Sequence, residues 1–373
     1  MRVRNNILII GPTPPPYNEM SVATELVLRL SSKGKFSLIH LDTADRRGLA
    51  NSGRPDLTNI CLALLHGWKF IWLLLLKKPD IIYISISQAI LPFLRDCFFL
   101  IPARIFRKKV VIHLNGSYFK EFYRTRSPLM KALIWLALGK VKRAIVLGQT
   151  LKGLFEGIIP PGRIAIIPNG IDDFMLDADV KDNPDNKDLK VLFLSTLMRE
   201  KVVIDGLRTA PLVVDRTKRM KFIFAGEWFR EETRREAMNL IDGFDLDPYV
   251  EVKGVVVGNE KHDLFKSCDI FIFPTYYPIE GHPFVLLEAM CAGLPIITTD
   301  QGCIRETVID GENGFIIEKR NLEALAEKIV LLSKDKALWK RMGRASRKRF
   351  LTYYTADRFI ERLAKVFEEV LEE

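Results

Sequence analysis

Paired cysteines, clustered histidines and internal repeats are all missing from this sequence. Its five cysteines, Cys61, Cys97, Cys268, Cys291 and Cys303, are odd in number and form no C-x-x-C pair. That argues against a disulfide scaffold and against a structural zinc site. The five histidines are scattered, with none paired at helical spacing, so no catalytic metal cluster is expected. The lack of a repeating period excludes solenoids and propellers, and no low-complexity tract interrupts the chain. No secretory leader pattern opens it, and a reducing cytosol is the expected compartment. Acid is scarce in one half only. Residues 1–170 hold 25 Lys and Arg against 9 Asp and Glu, whereas the remainder holds 31 against 37. A basic half implies a polyanionic partner, nucleic acid or an anionic membrane.

The 373 residues, 48% of them hydrophobic, are enough for two globular domains. Short β-branched runs alternate with longer helical patterns. Strands are expected near Asn6–Gly11, Phe36–Asp42, Asp80–Ser85, Lys109–Leu114, Ala144–Gly148 and Ile164–Pro168. Six more are expected near Leu189–Ser195, Lys221–Gly226, Val250–Gly254, Asp269–Pro274, Pro295–Thr299 and Gly314–Ile317. Continuous apolar runs such as Ile7–Ile10 and Ile270–Phe273 mark strands buried on both faces, as in a parallel sheet. The pattern predicts an α/β chain with two doubly wound, Rossmann-like domains facing across a cleft. The turn signal Pro168-Asn169-Gly170 sets the first domain at 1–170 and the second at 171–354. The acidic stretch Asp172–Asp188 reads as an exposed connector, and a final helix near 355–373 packs back on the first domain.

The informative segment runs from Glu280 through Gly-His-Pro-Phe-Val-Leu-Leu to Glu288, and on to Gly293. It follows a buried strand. Pro283 suits the first turn of a helix and Gly293 its end. Free N–H groups at such a helix start form an anion site. Two flanking carboxylates are suited instead to accept hydrogen bonds from hydroxyls. A phosphorylated sugar attached to a ribose offers both.

The E-x7-E spacing, the following Ala-Met-Cys-Ala-Gly-Leu-Pro, and Asp310-Gly-Glu-Asn-Gly314 together resemble glycosyltransferase family 4, which has the GT-B fold. Gly11-Pro-Thr-Pro-Pro-Pro16, Pro168-Asn-Gly-Ile-Asp172, Ala225-Gly226 and Cys268–Pro274 extend the resemblance over nearly the whole chain. It implies a retaining transfer of a sugar from a nucleotide-diphosphate donor to an acceptor hydroxyl, with no metal and no further cofactor. The acceptor would be a lipid-linked or cell-envelope saccharide. By the same resemblance Glu288 would hold the ribose hydroxyls, and Glu280 would face the donor sugar and its anomeric carbon. The amides of Gly281, His282, Phe284 and Val285 would contact sugar hydroxyls and the diphosphate. Breaking a glycosidic bond passes through an oxocarbenium-like state with a departing anion, so cations are required opposite.

The family's G-R-x-x-x-x-K-G segment reads here Ser195-Thr-Leu-Met-Arg199-Glu-Lys201-Val202. Lys201 matches. Thr196 stands where the Arg is usual and Val202 where the second Gly is usual, with Arg199 three residues along as a substitute guanidinium. After the proline run many members carry Gly-Gly; this chain has Asn18-Glu19-Met20-Ser21, with Ser21 suited to cap a helix beside the donor. Where many members place a histidine directly before a glycine, the chain has Asn115 before Gly116, and His113 two residues earlier. Residues i and i+2 of a strand share a face, so His113 or Asn115 could reach the sugar, and a core histidine is the plainer reading of His113. An asparagine cannot take a proton, which suits a front-face mechanism in which the departing phosphate accepts it.

Asp177–Asp179 and Asp245–Asp247 form D-x-D patterns and read as solvated turns. Ile60–Leu76 is nearly apolar and at the lower limit for crossing a bilayer; a strand follows it, so a sheet-packing helix is expected. Residues 101–150 hold 11 basic residues against one acidic. With the exposed aromatics expected there, they point to a peripheral position on the inner face of an anionic membrane. No zinc knuckle, helix-turn-helix or aromatic-basic sheet signature accompanies them, so nucleic acid is not the expected partner. The departures at Asn18-Glu19 and Asn115 motivate one alternative, a non-catalytic nucleotide-sugar-binding subunit of a transferase complex.

Overall fold

The computed structural model describes residues 5–15, 19–47, 56–175 and 188–373. In chain order the first elements are β1 (Asn5–Gly11), α1 (Glu19–Leu28), β2 (Phe36–Asp42), α2 (Leu57–Lys77), β3 (Ile81–Ile86), α3 (Ile90–Ile105), β4 (Lys109–Leu114), α4 (Phe119–Arg124), α5 (Pro128–Leu138), β5 (Arg143–Val146) and β6 (Ile164–Ile166). Then come β7 (Leu189–Leu194), α6 (Val203–Val214), β8 (Met220–Ala225), α7 (Glu231–Gly243), β9 (Val250–Lys253), α8 (Gly258–Ser267), β10 (Ile270–Phe273), α9 (Phe284–Cys291), β11 (Ile296–Thr299), α10 (Ile304–Thr307), β12 (Gly314–Ile317), α11 (Leu322–Lys334), α12 (Lys336–Tyr353) and α13 (Ala356–Glu372). The chain divides into two compact units, Met1–Asn169 with Ala356–Glu373, and Gly170–Thr355.

In the first unit six parallel strands run in the order β2-β1-β3-β4-β5-β6. Alternate strand residues point to opposite faces. Ile7, Ile9, Ile81, Tyr83, Val111 and Ile145 form one core with α1 and α13, into which Phe359, Leu363 and Phe367 insert. Tyr83 meets Phe367 edge-on at 6.0 Å. Beyond the last turn of α13, Arg143 pairs with Glu373 at 2.5 Å. The intervening residues, including Leu8, Ile10, Ile82, Ile84 and Ile112, are equally buried on the other face.

On that second face α3 lies against β3 and β4, with α2 and α5 packed on α3. Here the sheet-packing helix expected at Ile60–Leu76 is only partly realised. α2 buries His66, Phe70 and Leu74, with Phe70 edge-on to Phe99 of α3 at 5.4 Å. The reason is topological. β2 is the edge strand, so the helix leaving it has the unit beneath one stripe only.

The second unit has six parallel strands in the order β12-β11-β10-β7-β8-β9. β7 begins the unit and lies centrally, with β8 on one side and β10 on the other. The chain direction across the sheet reverses between β7 and β10, and ligands of such sheets sit at the strand carboxyl ends beside that reversal. The loops that leave β7 and β10 there are Ser195–Val202 and Pro274–Pro283. Gly226, at the end of β8 with φ of 145°, holds the adjacent strand ends together, since a Cβ there would lie 1.8 Å from the Ser195 carbonyl oxygen. The start of the expected connector is anchored rather than exposed: Asp173 takes two bonds from the Arg347 guanidinium, at 2.7 and 2.8 Å. Asp177–Asp179 and Asn18 lie outside the described residues.

Candidate functional site

The loop after β10 carries Glu280 and the helix after it carries Glu288. α9 starts at Phe284, with Pro283 in extended conformation at its N-cap. No side chain caps this end, and the first-turn N–H groups of a helix have no partner within it. At the far end Gly293 takes φ of 69°, and Leu294 N–H closes back on the Ala289 carbonyl at 3.0 Å, as a left-handed C-terminal stop requires. The Glu280–Gly281 turn rests on the segment after β11. The Cys303 amide donates to the Gly281 carbonyl at 3.0 Å. Gly302, at φ of 59°, passes so close beneath that a Cβ would sit 2.2 Å from the Glu280 carbonyl oxygen.

Glu280 is buried, and its Oε2 lies 3.5 Å from Lys201 Nζ. The Thr275 hydroxyl donates to the same oxygen at 3.4 Å. Lys201 reaches it from the single 3-10 turn Arg199–Lys201 that follows β7, and its ammonium lies 5.4 Å from the Tyr277 ring centroid. The two loops of the topological reversal therefore deliver one carboxylate and one cation to the same point. Val202, where a glycine was expected by resemblance, holds the left-handed conformation a glycine would hold, at φ of 79° and ψ of 26°. A β-branched residue is strained there.

Glu288 is buried on α9, with Oε1 2.5 Å from Lys261 Nζ of α8. Its Oε2 is buried and has no hydrogen-bond partner among the described residues. Burial outweighs the neighbouring ammonium and holds this carboxyl above the ordinary carboxylate range. One oxygen is thus occupied and the other is a free acceptor for a hydroxyl. Sequence reasoning missed Lys261. A buried glutamate signals that some cation must approach it, but the spacing of 27 residues names none.

Gly281, His282, Phe284 and Val285 line this same turn and helix start. His282 is buried, with its ring 5.3 Å from Tyr354. Arg199 departs from the expectation: its half-exposed guanidinium pairs with Glu236 of α7, whereas Lys201 is the cation that meets Glu280. Asp245–Asp247 lies in the turn between α7 and β9, both carboxylates exposed around buried Leu246.

In the first unit the expected residues fall differently. Ser21 does not cap a helix; α1 begins at Glu19, and Ser21 is buried within it. His113 is sealed in the core, as its position facing α13 dictates. Its Nδ1 lies 2.6 Å from the Tyr83 hydroxyl, and its ring stacks near Phe359 at 6.3 Å. Burial pushes its pKa down to about 3, so it stays neutral, and its Nε2 is buried with no hydrogen-bond partner among the described residues. Asn115, just past β4, keeps both amide atoms buried with no hydrogen-bond partner among the described residues.

Two six-stranded parallel sheets with flanking helices and these carboxylates beside the reversal of the second sheet define the GT-B architecture of glycosyltransferases. Residues 177–349 match the family model described as glycosyl transferases group 1. The capsular polysaccharide biosynthesis glycosyltransferase CapM of Staphylococcus aureus is 27% identical over 191 residues, covering 50% of this chain and 48% of that protein. N,N'-diacetylbacillosaminyl-diphospho-undecaprenol alpha-1,3-N-acetylgalactosaminyltransferase of Campylobacter jejuni is 31% identical over 110 residues, 29% of this chain and 28% of its own. Each match thus spans at most about half the relative's length. The structure of Anabaena Alr3699/HepE in complex with UDP aligns over 98% of this chain and 100% of that one, with TM-score 0.75 and 16% identity. The match and the relatives support a glycosyltransferase enzyme.

Proposed function

We propose that this protein is a retaining glycosyltransferase that moves a sugar from a nucleotide-diphosphate donor to a hydroxyl of a cell-envelope saccharide precursor. The observation that carries the reading is the pair of buried carboxylates ahead of and on α9, each met by a lysine: Glu280 with Lys201 and Glu288 with Lys261. The group 1 match over this unit, and relatives named for capsular and diphospho-undecaprenol-linked sugars, support the reaction class and the acceptor class.

In this reading Glu288 accepts a ribose hydroxyl at Oε2 while Lys261 holds Oε1. Lys201 and the amides of Phe284 and Val285 at the start of α9 stabilise the diphosphate as the bond from its terminal oxygen to the anomeric carbon breaks. Glu280 stabilises the positive charge growing on the sugar ring. The acceptor oxygen bonds to the anomeric carbon from the same face, and its proton passes to the departing phosphate oxygen. No protein base is needed, which suits a neutral, core-bound His113 and an asparagine at 115. The positive charge is supplied by lysine and helix terminus, and full turnover in the presence of EDTA is expected.

A thermal-shift panel of UDP, GDP, ADP and their sugar conjugates tests the donor site. A ligand at a hundred times its Kd adds ~2.7 kcal/mol. One nucleotide series should raise the wild-type midpoint and leave Glu288→Ala unmoved. NMR of the product from that donor should show the donor's anomeric configuration, and an inverted product would refute the retaining course. The non-catalytic alternative, motivated by the departures at Asn18-Glu19 and Asn115, predicts the shift without any product.

A further inference from the structure

We propose that α2, together with the adjoining exposed faces of α3 and α5, is a membrane-binding face that lies in the plane of an anionic bilayer. α2 is apolar on both sides. One stripe, His66, Phe70 and Leu74, is buried in the unit. The opposite stripe is also apolar yet exposed: Leu64 at 56%, Trp68 at 68%, Trp72 at 50% and Leu75 at 54%. These recur at helical spacing and so form one continuous ridge. Exposed Phe98 of α3 continues it, because α3 meets α2 at Gly67, the residue beside Trp68. A third exposed tryptophan, Trp135, lies on α5, which is tied to α3 by the bond from Arg104 to the Leu136 carbonyl. An exposed apolar ridge with two tryptophans is not the ordinary scatter of single surface hydrophobes.

Charge selects the occupant. Residues 57–140 hold thirteen Lys and Arg against three Asp and Glu, and one of those acids, Asp96, is buried against Arg95. On α2 the exposed charges are Lys69 and Lys77, with Lys78 just after. Tryptophan and leucine ridges fringed by lysine match the acyl boundary and anionic headgroups of a lipid leaflet. By length and composition α2 could also cross a bilayer. The geometry points to the interface instead, since spanning would strip His66, Phe70 and Leu74 from their packing on the unit and expose Phe99.

The inference does not depend on the transfer reaction, and its test uses no sugar nucleotide, so the two can fail separately. The full chain is mixed at low salt with vesicles of phosphatidylcholine alone or with added phosphatidylglycerol. Co-sedimentation and a blue shift of tryptophan fluorescence are expected with the anionic vesicles only. Alkaline carbonate should release the bound protein. Trp68→Glu with Trp72→Glu should abolish binding without moving the melting midpoint, because both side chains are exposed. Lys77→Gln with Lys78→Gln should weaken it about 30-fold, from ~1 kcal/mol per basic residue near an anionic surface. No binding by the wild type, or unchanged binding by the tryptophan variant, would overturn the proposal. So would resistance to carbonate, which marks a spanning helix. A wild-type dimer that becomes monomeric in the tryptophan variant, with no vesicle binding, would assign the face to a second copy of the chain.

Discussion

Replacing Lys261 by methionine removes the cation from Glu288 and keeps most of the side-chain volume. Leaving a buried carboxylate without its partner costs about 3–5 kcal/mol where water is excluded. Two features of the pair lower that figure. The Lys261 side chain is 27% exposed, so water can follow it out. Glu288 can also take up a proton, and protonating a glutamate of ordinary pKa at neutral pH costs at most roughly 3.7 kcal/mol. Its carboxyl is already held above that range, so the cost is smaller still. The expected loss near pH 7 is therefore about 1–3 kcal/mol. The sign of the pH dependence follows. Without Lys261 the folded-state pKa of Glu288 rises further above its unfolded value. Stability from such a group is complete below the unfolded pKa and is lost as pH climbs through the folded one. The deficit of Lys261→Met against wild type should be small near pH 5 and should widen towards pH 8. Urea denaturation at both pH values measures it, and in a Glu288→Gln background the pH dependence of the deficit should disappear. A deficit that is equal at both pH values, or that persists unchanged in that background, would refute the assignment of Lys261 as the partner that keeps Glu288 ionised.

Other outcomes follow from single residues. Val202→Gly should lower the urea midpoint, because loss of a fully buried valine side chain costs roughly 1.5–3 kcal/mol while relief of the left-handed strain returns only roughly 1–2 kcal/mol; a raised midpoint would mean that the strain outweighs the burial. His113, with a pKa of about 3 in the folded chain, should show no imidazole titration by NMR between pH 5 and pH 8. Because that pKa is depressed, its contribution is present above the unfolded value near 6.5 and is lost as pH falls towards about 3. His113→Phe should therefore lose less stability than wild type on acidification, and a wild-type imidazole that titrates near 6.5 would refute its burial.

The inner strands such as β1, β3 and β10 were legible as short, continuous apolar runs, the pattern that burial on both faces of a parallel sheet imposes, whereas the edge strands β2 and β9 carry polar residues within their runs and are only partly buried. The turn and helix carrying Glu280 and Glu288 were legible from Pro283 and Gly293, whose backbone preferences mark the two ends of α9. What escaped depends on direction and distance in space. His113 and Asn115 share a strand-face argument, yet β4 ends between them, and only the packing of α13 shows that His113 points into the core. The Lys261 contact crosses from α8 to α9, and no periodicity in the sequence encodes it. The exposure of α2 follows from the strand order, which makes β2 an edge and leaves the helix without a second layer to cover it. Arg199 and Lys201 sit two residues apart in one 3-10 turn, and the structure alone separates the one that meets Glu236 from the one that meets Glu280.

Release of nucleotide diphosphate from a panel of nucleotide sugars, with a lipid-linked saccharide extract as acceptor, addresses transfer itself. The wild type should turn over one donor and pass its sugar to the acceptor. Glu280→Gln should keep the donor-induced rise in melting temperature and lose turnover at least 100-fold, as removal of a transition-state electrostatic contact does. Turnover by Glu280→Gln at the wild-type rate would contradict the role given to this carboxylate, and the absence of any product from the wild type with a donor that demonstrably binds would leave the chain a nucleotide-sugar-binding subunit and not a transferase.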